Sequence, residues 1–120
     1  RHALQAVSSL ELAGNDMVFY EEVRFLRLIR YLKSAEYPED LIHPAIMKLK
    51  ESDLNAGTEY LQTLRALIEN GVRQTDTARA LKIHRTTLIY RMERIHDLTG
   101  LDFSDSDSMT HVALSLKMGV

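Results

Sequence analysis

The chain has 120 residues, of which 45% are hydrophobic and 27% charged, and this composition is that of a globular protein, with a net charge of −2. It contains no cysteine, which excludes disulfides, thiolate metal sites and cysteine nucleophiles, and a reducing compartment fits best. No apolar run approaches the roughly 18 residues of a membrane span, and the sequence does not open with a signal-peptide layout. We therefore expect a cytoplasmic protein with no membrane contact.

The first third of the chain predicts two helices and a short β-favouring segment between them. Apolar residues recur at helical spacing over residues 2–13 and again over 23–32, and Gly14-Asn15 reads as a helix stop between the two. Met17–Tyr20 is apolar and favours a strand, but it is too short to be stable without partner strands. We expect it to be a strand remnant of a preceding domain. Because the chain begins at Arg1 inside a helical pattern, we also expect it to be a piece of a longer protein.

Pro38, with the acidic residues beside it, predicts a linker. This gives residues 1–37 as the end of a preceding regulatory domain with its connecting helix, and residues 38–120 as a second domain. The helices predicted for that domain are one opened by Pro44 that carries Ile46, Met47 and Leu49; one capped by Thr58 and ended by Gly71; one capped by Thr75 that reaches Leu81; one from about Arg85 to Leu98 stopped by Gly100; and one that starts near Ser106 or Asp107. The predicted fold class is therefore mainly all-α, a helical bundle.

The positive charge is concentrated in one segment of this bundle. Residues 73–94 hold six Arg or Lys residues against two Asp or Glu residues, whereas both flanking parts of the chain are acidic. A basic segment between acidic flanks favours a polyanionic partner more than the total charge indicates.

The helix predicted from Arg85 has two chemically different sides. Leu88, Met92 and Ile95 share one side and are predicted to pack against the preceding helices. An apolar back, a basic and hydroxyl-bearing front, and a three-residue turn at Lys82–His84 are typical of a helix-turn-helix, whose second helix enters the major groove. The candidate DNA-binding residues are Thr75, His84, Arg85, Thr86, Thr87, Tyr90, Arg91 and Arg94.

Each candidate also has a structural alternative that the sequence leaves open. Tyr90 is as well suited to cover a neighbouring helix as to contact DNA. His84 is as well suited to cap the helix that follows it. Thr75 and Thr87 serve as caps or surface hydroxyls unless DNA is present. Arginines on a helix face are often only solvated, but Arg85 stands in the first turn, where a reader helix meets DNA.

The segment "TDTARALKIHRTTLIYRMERIHDLTGLD" resembles the C-terminal helix-turn-helix of the PucR/CdaR-type bacterial transcription regulators. The pattern of that family runs approximately T-A-x-x-L-x-[VI]-H-R-N-T-L-x-Y-R-[LM]-x-[KR]-[IL]-x-x-[LI]-T-G. The resemblance continues upstream through "GTEYLQTLRALIENG" and downstream to "HVALSLKMG", so that it covers residues 38–118. It implies the DNA-binding output domain of a regulator whose missing upstream domain senses an effector.

This chain has the residues of the family's motif at the matching positions, with one departure. The resemblance assigns motif positions to Thr77, Ala78, His84, Arg85, Thr87, Leu88, Tyr90 and Arg91. Thr86 stands where the family usually has asparagine, and it lacks an amide that could pair with adenine. Lys82 occupies the turn position at which many helix-turn-helix proteins use glycine, and a left-handed conformation there would cost about 1 kcal/mol.

We find no pattern for metal, cofactor or catalytic chemistry. The five histidines are scattered without the spacing of a zinc site. "DFSDSDS" lacks the glycine and the terminal glutamate of a calcium loop and reads as a capping region. There is no glycine-rich phosphate loop and no nucleophile elbow, so neither a cofactor nor enzymatic activity is expected.

Two functions compete at this point. The leading one is sequence-specific binding of double-stranded DNA; the alternative is a helical interaction or dimerisation module whose arginines only confer solubility. Binding of RNA ranks lower because no aromatic stacking surface is evident. A single reader helix covers few base pairs, so we expect a homodimer or higher oligomer on a roughly palindromic site.

Overall fold

The structure, a computed structural model, describes residues 14–119, with side chains from Met17 onward. The helix predicted over residues 2–13 lies outside the described residues. The bounds of the α-helices are α1 Gly14–Lys33, α2 Pro44–Ala56, α3 Tyr60–Glu69, α4 Gln74–Leu81, α5 Arg85–Thr99 and α6 Ser106–Lys117, with a 3-10 helix at Pro38–Leu41. Residues 14–119 contain no β-strand, which confirms the all-α class.

The predicted strand at Met17–Tyr20 is wrong, because this segment lies inside α1. Gly14 and Asn15 are likewise helical, as the first residues described for α1. An isolated strand of four residues would leave its backbone polar groups unpaired, whereas a helix pairs them within the segment itself. Tyr20 and Arg24 show the helical spacing directly: Arg24 Nη2 donates to Tyr20 Oη at 2.8 Å, and the guanidinium carbon lies 4.3 Å from the ring centroid.

The chain divides into two compact units, one that ends at Pro38 and one that begins at Glu39. The second unit contains every candidate DNA-binding residue. Its central helix is α3, which packs against α2, α4, α5 and α6. No helix in the described range is both long and apolar enough to cross a membrane.

Two adjacent clusters form the core of the second unit. The larger cluster consists of Ile46, Leu49, Tyr60, Leu64, Ile95, Leu101, Val112 and Leu116. The smaller consists of Leu67, Ala78 and Leu88. Helices α3 and α5 contribute to both clusters, which fixes the position of α5 against the bundle. Of the apolar residues named for α2, Ile46 and Leu49 are fully buried in the core, whereas Met47 is 61% exposed.

The ends of α2 and α3 are stabilised by different kinds of cap. Pro44 opens α2 as predicted, and the Nδ1 atom of His43 accepts a hydrogen bond from Ala45 N. The predicted cap of α3 by Thr58 is wrong. The carboxylate of Asp53, on α2, accepts the amides of Tyr60 at 2.9 Å and Leu61 at 3.1 Å. A carboxylate satisfies these first-turn N–H groups better than a hydroxyl because it is charged and has two acceptor oxygens.

Candidate nucleic-acid interface

A three-residue turn joins α4 to α5 and closes α4 with a Schellman motif. Lys82 is left-handed, with φ 58° and ψ 43°. Its amide donates to Arg79 O at 3.1 Å, and the amide of Ile83 donates to Ala78 O at 3.0 Å, which is the pairing of that motif. Ile83 packs against the cluster that contains Ala78. The turn therefore holds the left-handed lysine in place through two hydrogen bonds and one apolar contact.

The back of α5 is anchored in the core as the sequence predicted. Leu88 is fully buried and clusters with Leu67 and Ala78, while Met92 packs against the same group. One further turn along, Ile95 is fully buried with Leu64 in the larger cluster. These contacts leave the opposite side of α5 free for solvent or a ligand.

The first turn of α5 is open to solvent. His84, Arg85, Thr86 and Thr87 are all exposed. His84 occupies the N-cap position with an extended backbone, but its side chain makes no capping hydrogen bond. First-turn amides have no intrahelical acceptor, so this end of α5 presents N–H groups and a partial positive charge to an anion. Four exposed polar side chains and an open helix terminus thus meet at one surface.

Arg85 is exposed, but its side chain has a defined partner. Its Nε and Nη2 atoms donate to Oε1 of Gln74 at 3.1 Å and 2.9 Å. Gln74 is the first residue of α4 and is only partly exposed. The two hydrogen bonds connect the starts of the two helices on either side of the turn.

Arg91 is directed towards α3 and is largely withdrawn from solvent. Its Nη1 atom donates to Oγ1 of Thr63 at 3.2 Å, and its Nη2 atom lies 3.4 Å from a carboxylate oxygen of Glu59. The Arg91 side chain is 20% exposed. In this structure the residue ties α5 to α3, a role that helical periodicity did not indicate.

Two other candidates on α5 remain accessible. Tyr90 is 59% exposed and therefore does not cover a neighbouring helix. Arg94 is exposed and makes an i,i+3 ion pair with Asp97 at 3.6 Å. An exposed pair of this kind contributes little to stability, so the guanidinium of Arg94 can exchange this partner for another anion at small cost.

The start of α4 differs from the sequence prediction. The helix begins at Gln74 with Arg73 as N-cap, so Thr75 is not the cap; it lies exposed in the first turn. Thr77 is fully buried, and its hydroxyl donates to Arg73 O at 2.7 Å. This bond returns the Thr77 hydroxyl to the backbone of its own helix, and the residue is therefore structural.

An ion-pair cluster lies at the same end of α4. Arg73 contacts the carboxylate of Asp76 at 2.7 Å, and Arg79 lies 3.5 Å from it. The hydrogen bond from Arg73, with the charges of both arginines, lowers the pKa of Asp76 below its ordinary value. Two cations share one carboxylate, which leaves a net positive charge on this part of α4.

Within residues 14–119 no three His, Cys, Asp or Glu residues are grouped closely enough to hold a metal ion. Sequence reasoning had not singled out Gln74, Glu59 or Asp53, whose roles depend on partners that lie 7 to 32 positions away in the chain. No local pattern could have identified them.

A helix, a tight turn and a second helix with a buried back and an exposed first turn define the helix-turn-helix class of DNA-binding proteins. Residues 60–118 match the family described as the PucR C-terminal helix-turn-helix domain. Residues 60–118 belong to this family, and the chain thus contains the DNA-binding output domain of a transcription regulator.

Several curated relatives are similar to the chain. The proline-responsive transcriptional activator PutR of Bacillus subtilis is 30% identical over 97% of this chain and 29% of its own length. The carbohydrate diacid regulator of Escherichia coli is 36% identical over 82% of this chain and 25% of its length. The transcriptional activator PmfR of Paenarthrobacter nicotinovorans is 45% identical over 44% of this chain. The chain thus spans between a quarter and a third of the first two relatives. No solved structure gives a significant match.

Proposed function

We propose that the chain binds double-stranded DNA in a sequence-specific way, with α5 in the major groove and its first turn towards the base edges. The observation that carries this proposal is the exposure of residues 84–87 above a back that is fully buried at Leu88. A helix held in this manner can enter a groove about 12 Å wide without disturbing the core of the protein.

The contacts follow from side-chain chemistry and position. Arg85 pairs with guanine, and Thr86 and Thr87 meet bases or phosphates nearby. His84 lies beside them at the turn. The residues further from the first turn have supporting roles: Tyr90 and Arg94 along α5, and Thr75 at the start of α4, meet the sugar-phosphate backbone.

Arg91 was a candidate for direct contact with DNA, but the structure supports an indirect role for this residue. The guanidinium of Arg91 already contacts Glu59, and it donates a hydrogen bond to the fully buried Thr63 on α3. We propose that Arg91 contributes to DNA binding mainly by holding α5 against α3.

The organisation of the longer protein is part of the proposal. Residues 1–37 end a preceding regulatory domain with its connecting helix, and residues 38–120 are the DNA-binding domain. The names of two relatives refer to proline and to carbohydrate diacids. By analogy the domain that precedes residue 38 binds a small effector molecule, and the whole protein acts in the cytoplasm.

We further propose that two copies bind together. One reader helix contacts only a few base pairs, so a pair of domains on one face of DNA is needed for a site of useful length. The bound site would then be roughly palindromic, with its halves separated by about one helical turn.

The test begins with selection of bound duplexes from a random-sequence pool, followed by titration of a recovered fragment at several salt concentrations. Affinity is expected to fall steeply as salt rises, because each neutralised phosphate releases counterions. Arg85→Ala should weaken binding by about 1 to 3 kcal/mol and relax base preference at one position. Arg65→Ala is the matched control, since Arg65 is an exposed arginine outside the basic segment. Equal effects of the two substitutions, or failure to enrich any sequence, would contradict the proposal.

A further inference from the structure

The contact between Gln74 and Arg85 has a consequence for base recognition. Both hydrogen bonds from the guanidinium end on one oxygen, Oε1 of Gln74. They use the side edge of the arginine, formed by Nε and Nη2. A guanidinium has five N–H donors in a rigid planar fork, so three remain after this contact.

The donors that remain include one N–H on each of Nη1 and Nη2, at the end edge of the fork. Because the side edge is occupied, the end edge is the pair of parallel donors still able to meet two acceptors side by side. Guanine presents such a pair in the major groove, at O6 and N7. A phosphate can be met from either edge, because its oxygens accept from many directions.

We infer that Gln74 is a positioning residue for Arg85: it holds the side edge of the guanidinium so that the end edge is offered to guanine. This inference rests on the proposed role of Arg85. A free arginine side chain loses rotamer entropy when it binds, and a partner already present in the free protein removes part of that loss.

The placement of Gln74 supports this role over a purely local one. It is the first residue of α4, where the backbone hydrogen bonds of the helix do not depend on the side chain. It also lies 11 positions before Arg85 in the sequence. The turn at Lys82–His84 brings the first residues of the two helices within hydrogen-bonding distance. Gln74 therefore couples the start of one helix to the residue expected to read DNA on the other.

A double-mutant cycle tests the inference, with Gln74→Met as the variant that keeps side-chain length and removes the acceptor. The probes are four duplexes that carry each of the four base pairs at the position most sensitive to Arg85→Ala, within a fragment recovered by selection. Gln74→Met should reduce the preference for guanine about threefold to tenfold, the range of one net hydrogen bond. In the Arg85→Ala background the same substitution should change affinity less than twofold. Gln62→Met, at an exposed glutamine on α3, is the matched control and should leave preference unchanged.

Each other result overturns the inference in a recognisable way. If Gln74→Met weakens binding to all four duplexes equally and does so in both backgrounds, Gln74 contacts DNA itself. If Gln74→Met has no effect while Arg85→Ala does, Arg85 reads DNA without help from Gln74. The inference then fails and the proposed function remains. If Arg85→Ala has no effect, both fail. Thermal unfolding of Gln74→Met should match that of the parent chain, and a clear loss of stability would show a structural role instead.

Discussion

The guanidinium of Arg91 bridges Thr63 of α3 and Glu59, the residue just before that helix, with Nη1 3.2 Å from Oγ1 of Thr63 and Nη2 3.4 Å from Glu59. Arg91→Ala should lower the free energy of unfolding by about 1 kcal/mol, mostly through the hydrogen bond at the buried hydroxyl. The carboxylate of Glu59 is 62% exposed, so the ion pair itself adds little. Arg94→Ala, which removes only an exposed i,i+3 pair, is the control and should change stability by less than about 0.5 kcal/mol. Chemical denaturation of both variants provides the measurement, and equal losses would argue against a bridging role.

Asp53 caps α3 from the end of α2, and its removal should be more costly than removal of the nearer threonine. Asp53→Ala leaves the amides of Tyr60 and Leu61 without their acceptor and should destabilise the fold by about 1 to 2 kcal/mol. Thr58→Val should cost less, because Thr58 contacts the carboxylate and caps no amide. Thermal or denaturant unfolding compares the two. A larger loss of unfolding free energy for Thr58→Val than for Asp53→Ala would show that Thr58 is the cap.

Lys82 has a left-handed backbone, which is unfavourable for any residue with a Cβ atom. Lys82→Gly should therefore raise the free energy of unfolding by about 0.5 to 1 kcal/mol relative to Lys82→Ala, since both remove the charge and only glycine relieves the conformation. The comparison is made by denaturant unfolding of the two variants. Stability of the glycine variant at or below that of the alanine variant would show that the Schellman hydrogen bonds fully compensate the strain.

His43 makes stability depend on pH. Burial lowers the pKa of His43 below its ordinary value of 6.5, and the nearby charge of His111 lowers it further. The rings lie 5.0 Å apart, and Nδ1 of His43 must be unprotonated to accept from Ala45 N. Because the unfolded chain binds this proton more readily than the folded protein, the free energy of unfolding should decrease as pH falls below about 6.5 and continue to do so down to the folded pKa.

The variant for this pH effect is His43→Asn, which keeps a good N-cap and cannot titrate. Unfolding measured between pH 7.5 and pH 5, values chosen to bracket the ordinary histidine pKa of about 6.5, should show a shallower pH dependence than in the parent chain. His96→Asn serves as the control with the His43 contacts intact. If both variants lose the same part of the pH dependence, His43 is not its source.

Periodic features of the sequence were enough to predict the helices of the second unit. The stops at Gly71 and Gly100 predicted the ends of two helices whose bounds the structure confirms within a few residues. The side of α5 carrying Leu88 and Ile95 was also predicted correctly. These features are local, because helical spacing places such residues on one face whatever else the chain does.

The start of α1 shows where local reasoning fails. Met17–Tyr20 has β-favouring side chains, yet a strand requires partners that the described range does not offer, and the segment is helical. Strand propensity describes the fit of a side chain to a sheet, so it has little force where no sheet is present.

By itself the sequence determined the all-α class, the turn at Lys82–His84 and the basic segment from residue 73 to residue 94, because these depend on residue types and on spacing along the chain. The tertiary structure decided which of the cations are accessible. The sequence placed Arg85 in the first turn of α5 and Arg91 further along it, but it did not show that Arg85 contacts Gln74 or that Arg91 is held at α3 by Thr63. Side-chain hydrogen bonds between distant residues form only after the helices have packed, and for this reason no pattern in the sequence could predict the partners of the two arginines.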